Sequence, residues 1–69
     1  LRKELIEIRE CERKAHTLYD TAVMNLVNPD LSREECQKWL KTTYQATELH
    51  AKAMAMIEEL LVAENGKNE

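Results

Sequence analysis

The 69-residue chain has one glycine, one proline and no phenylalanine. That shortage argues against a compact β domain, whose turns draw on the positive φ of glycine and the preset φ of proline. Two cysteines, Cys11 and Cys36, are too few for a disulfide scaffold and lack zinc-finger spacing. They suit a reducing compartment, so a cytoplasmic protein is expected. No apolar run approaches the roughly 18 residues that span a bilayer. The start, Leu1-Arg2-Lys3-Glu4, is charged and unlike the apolar segment of a signal peptide. Ten Lys and Arg against thirteen Asp and Glu leave a net charge of −3, which disfavours general affinity for nucleic acid. A Gly-rich phosphate loop, a Ser/His/Asp set and a Cys/His pair with an orienting third group are all missing. The expectation is therefore a protein that is not an enzyme and needs no cofactor.

What is present is helix-forming. Leu, Glu, Ala and Lys dominate, and 43% of residues are hydrophobic, enough for a folded module. The one strong break is Asn28-Pro29-Asp30-Leu31-Ser32. Pro29 lacks an N–H and pushes Asn28 out of the helical region. Ser32-Arg33-Glu34-Glu35 reads as a capping box, in which Ser32 and Glu35 satisfy each other's backbone N–H groups. Leu31 and Cys36 occupy the positions of a hydrophobic staple. The reading is all-α: helix 1 over about 3–27, a turn at 28–31, helix 2 over about 32–64, and a frayed tail at 65–69 after the Asn65-Gly66 stop. A short turn makes the helices antiparallel neighbours, so residues whose numbers sum to about 60 should face each other.

On helix 1 the apolar face runs Leu1, Leu5, Ile8, Ala15, Tyr19, Ala22 and Leu26, flanked by Leu18 and Val23, with Glu12 interrupting it. On helix 2 the expected core face is Cys36, Leu40, Thr43, Thr47, His50, Met54, Ile57 and Leu61. Glu12, Thr43, Thr47 and His50 would then form a polar layer inside the core. A second apolar flank, Leu49, Ala53, Met56, Leu60 and Ala63, together with the overhanging Leu61, is left for a dimer interface. Two helices share one contact line and cannot bury both stripes. The hairpin is therefore expected to dimerise into a four-helix bundle.

Three candidate chemistries follow. Glu12, His16 and His50 offer a carboxylate and two imidazoles to a divalent metal, although the Glu-x-x-His pattern of di-iron bundles is missing. Arg2, Arg9 and Arg13 make a basic edge that could contact RNA phosphates, without interleaved aromatics to stack bases. Trp39, at the border of the helix 2 face, would cap the bundle end or anchor a partner. Cys11 and Cys36 do not oppose each other and are read as free thiols.

In its size, its lack of glycine outside the tail and its break at Asn28-Pro29-Asp30, the chain resembles the short acidic helical-hairpin accessory proteins of bacteriophages and plasmids. That resemblance implies a small regulator that binds a host protein or dimerises. The functional expectation is a non-enzymatic, homodimeric interaction module that binds another macromolecule. An RNA-binding hairpin and a metal-binding bundle are the alternatives.

Overall fold

The computed structural model describes residues 1–67, the side chain of Lys67 excepted. It is two helices, α1 over Arg2–Leu26 and α2 over Arg33–Lys67, packed antiparallel in a rod of 58 × 15 × 13 Å. The all-α hairpin expected from the composition is what forms.

The connection is held by its own polar groups. The Val27 N–H donates to Val23 O (3.1 Å) and the Asn28 N–H to Asn25 O (3.2 Å), closing the end of α1. The Asn28 side-chain oxygen accepts from the Asp30 N–H at 3.0 Å, an Asx turn around Pro29. The capping box is present: the Glu35 N–H donates to Ser32 Oγ (3.1 Å) and the Ser32 N–H to Glu35 Oε1 (3.4 Å). Leu31 and Cys36 are both half-buried, as a staple requires.

The other end departs from expectation. Helix α2 continues through Asn65 and Gly66 to Lys67. Gly66 does not adopt positive φ, so it provides no left-handed stop and the helical ladder carries on. The remaining expected tail residues, 68–69, lie outside the described residues.

The buried core among the described residues is Ile8, Ala15, Ala22, Ala46 and Ala53. These fall seven apart on each helix and meet with sums of 61: Ile8 opposite Ala53, and Ala15 opposite Ala46. A seven-residue repeat keeps one seam facing the neighbouring helix along its length. Alanine on that seam lets the two backbones come close. Cys11, Leu18, Leu49 and Met56 are half-buried at its edges, and Trp39 and Leu60 extend the α2 row at either end.

This seam corrects the expected face of α2. Ala53 is 0% exposed, and Leu49, Met56 and Leu60 are half-buried between the helices. Leu49, Ala53, Met56 and Leu60 of the flank assigned to the dimer interface are therefore the contact surface with α1, while Ala63 and Leu61 are exposed. Leu40, Thr47, His50, Met54, Ile57 and Leu61, assigned to the core, are exposed. The expected stripe is turned by roughly 50–100° about the helix axis, a step of one residue or less at about 100° per residue. The physical reason is size. Reading for the largest apolar side chains selects Leu40, Met54, Ile57 and Leu61, whereas two helices packed alone gain most where small residues permit close approach.

Candidate interaction surface

The hairpin has two unlike broad faces. On one, α1 contributes Leu5, Glu12, Tyr19 and Leu26, and α2 contributes Cys36, Thr43, His50 and Ile57, with Leu40, Thr47, Met54 and Leu61 in the row beyond. Leu5 is 52% exposed, Leu40 55% and Leu61 59%; Leu1, Tyr19, Met54 and Ile57 are exposed as well. The apolar side chains form two clusters. Leu1, Leu5, Met54, Ile57 and Leu61 lie toward the open end, and Tyr19, Leu26, Cys36 and Leu40 toward the turn.

Between the clusters lies a polar layer. His50 Nδ1 and Glu12 Oε1 are 2.7 Å apart across the two helices. His16 Nε2 is 3.8 Å from the other oxygen of Glu12. Glu12, Ala15, His16 and Tyr19 line one wall of an open groove here, and Ala46, Thr47 and His50 line the other. The pairing of Glu12 with His50 matches the register read from the turn. The depth does not match, because the His50 side chain is 58% exposed and sits at a surface. Nor do Thr43 and Thr47 join the layer by hydrogen bonding. Their hydroxyls donate back to Trp39 O (3.0 Å) and Thr43 O (3.2 Å) within α2. A helical threonine can always satisfy itself in this way.

The opposite broad face is charged. Glu7, Glu10, Lys14 and Lys52, with the exposed Ile6 among them, surround the seam residues Cys11, Leu49 and Met56. The Cys11 thiol donates across the seam to Leu49 O at 3.1 Å. Cys11 and Cys36 are free, and Cys11 stands opposite residue 49 as the register implied.

The three other candidate sites fare differently. Among the described residues no group of three His, Cys, Asp or Glu is placed to hold a metal. Glu12, His16 and His50 are close, but Glu12 is engaged by His50 and His16 points largely into solvent, 77% exposed. Arg2 and Arg9 are exposed in one row of α1, seven residues apart. Arg13 donates to Glu10 Oε2 at 2.9 Å. That contact holds the Glu10 carboxyl below its ordinary range and the Arg13 guanidinium above its own. The basic edge is thus two unengaged arginines and one neutralised locally. Trp39 is half-buried on the α2 seam row, with Lys38 Nζ 5.0 Å from its ring centroid. No helix among the described residues is long and apolar enough to cross a membrane.

The sequence matches no protein-family model, and no curated protein or solved structure is significantly similar to it.

Proposed function

We propose that this chain is a non-enzymatic interaction module: a helical hairpin that pairs with a second copy through its apolar broad face and presents the resulting four-helix bundle to another macromolecule. The observation that carries this reading is the apolar face itself. Leu1, Leu5, Leu40, Met54, Ile57 and Leu61 are large, exposed and clustered on this side, although Ile6, Met24, Val27, Tyr44 and Val62 are exposed as well; a cluster of this kind marks an interaction surface.

The total surface supports it. The chain exposes 5832 Å², whereas a compact monomer of 8.1 kDa would expose about 4,500 Å². The excess, about 1,300 Å² per chain, exceeds the ~800 Å² that each partner hides in a standard interface. A second hairpin of the same length and the same flat face is an occupant of matching size. Burial of the face would stack two helix pairs in the geometry of a four-helix bundle. The charged opposite face and the Arg2 and Arg9 row would remain outside, where a further partner would be met.

The test is a pair of single substitutions read by size-exclusion mass and circular dichroism. Ile57→Glu puts a charge on the apolar face and should give a monomer of reduced helicity. Gln45→Glu, on the charged side, should leave both mass and helicity unchanged. Equal behaviour of the two variants would contradict the reading.

A further inference from the structure

Glu12 and His50, with Thr43 and Thr47 beside them, interrupt the face assigned above to a second copy, and they lie near its middle. The apolar residues run from the level of Leu1 and Leu61 to that of Leu26 and Cys36. Glu12 and His50 each sit within about two residues of the midpoint of that span, roughly 2–3 Å at 1.5 Å rise per residue. Two face-to-face pairings related by a two-fold axis exist. With the hairpins parallel, every level meets its own copy. With the hairpins antiparallel, only the midpoint does. The layer therefore meets its own copy directly in the first and with an offset of twice that distance, roughly 4–6 Å, in the second.

We propose that docking of the second copy closes a layer of two Glu12 carboxylates and two His50 imidazoles at the centre of the interface, and that assembly therefore takes up protons. This rests on the self-association reading of the preceding subsection. In the free hairpin the Glu12–His50 pair is open to solvent, with side-chain exposures of 29% and 58%, so either state of the imidazole is hydrated. The dimer removes that water. With both imidazoles neutral, two carboxylates are brought together in a low-dielectric layer without a counter-charge, which is costly. With both protonated, the layer has two positive and two negative charges and each contact is a charge-assisted hydrogen bond. The dimer is thus the state that binds the two protons.

The groups facing His50 are few. From α1 they are Glu12, with His16 and Tyr19 along the same groove; from α2, Ala46 and Thr47 line it without a charge. His16 lines the same groove, but at 3.8 Å from Glu12 it makes the longer contact, against the 2.7 Å hydrogen bond of His50. The proton uptake is assigned to His50. By linkage, dissociation constants fall as pH falls through the ordinary imidazole range near 6.5, and the benefit is lost again below about pH 4, where carboxylates protonate.

The experiment is sedimentation equilibrium of the full chain at pH 8, 7 and 6, with helicity followed in parallel. The parent dimer should tighten by at least tenfold from pH 8 to pH 6, with a limit of about a hundredfold per pH unit for two protons. Glu12→Gln with His50→Gln in one chain keeps hydrogen-bonding capacity and should give a pH-independent dimer. His16→Gln should retain the parent's pH dependence. A parent dimer whose affinity is flat or rises with pH would overturn the proton linkage while leaving self-association standing. A parent that is monomeric at all three pH values would overturn both.

Discussion

The cap at Ser32 does its work through two hydrogen bonds at the start of α2. Removing the hydroxyl leaves the Glu35 N–H without its partner. Ser32→Ala should cost about 1 kcal/mol, the usual loss for an N-cap, read as a shift of the urea midpoint at unchanged slope. The roles of Pro29 and Ser32 are legible in the sequence because each acts through local geometry that a few neighbouring residues determine. The depth of His50 is not, because it depends on which side of α2 meets α1. Glu10 and Arg13 give a second prediction at this scale. Their contact holds the Glu10 carboxyl below its ordinary range in the folded state. A carboxylate lowered by folding contributes stability above its unfolded value and loses it as pH falls through the folded one. Glu10→Gln should therefore flatten the acid limb of the stability profile slightly. Both groups are exposed, and at 1 M salt, where the Debye length is about 3 Å, the difference between parent and variant should shrink.

Each helix, taken as an element, is an amphipathic rod whose contact line is written by alanine. Ala15 and Ala22 on α1, and Ala46 and Ala53 on α2, repeat at seven, a spacing that the sequence displays directly. What misdirects a reading of α2 is the competition between two stripes. One holds small and medium residues centred on Ala46 and Ala53; the other holds Leu40, Met54, Ile57 and Leu61. Summed hydrophobicity favours the second, while close approach of two helices favours the first. On α1 the two demands coincide in part: Ile8, Ala15 and Ala22 of the expected face are buried, while Leu1, Leu5 and Tyr19 of the same face are exposed. A direct consequence is that enlarging a seam alanine should be costly. Ala53→Leu should destabilise by about 1–3 kcal/mol through overpacking. Ala51→Leu, on the exposed side of the same turn, should stay within about 0.5 kcal/mol. Chemical denaturation at one fixed protein concentration, since the proposed association would add to apparent stability, separates them.

The molecule as a whole is a rod with a thin core. Its buried residues are one isoleucine and four alanines among those described. Such a core contributes little against the entropy of ordering two helices. Most of the large aliphatic side chains that could add to it are outside, with Leu1, Leu5, Leu40, Met54, Ile57 and Leu61 clustered on one face about the Glu12–His50 layer. In the proposed dimer their burial would account for the excess surface, and the Glu12–His50 pair would lie at the centre of the interface. The most direct measurement of this account is sedimentation equilibrium of the unaltered chain from 1 to 200 μM at pH 6 and low salt. The account predicts a species of twice the 8.1 kDa chain mass over the upper part of that range, dissociating with loss of helicity as it is diluted. A single species at the chain mass, fully helical at 200 μM, would contradict it.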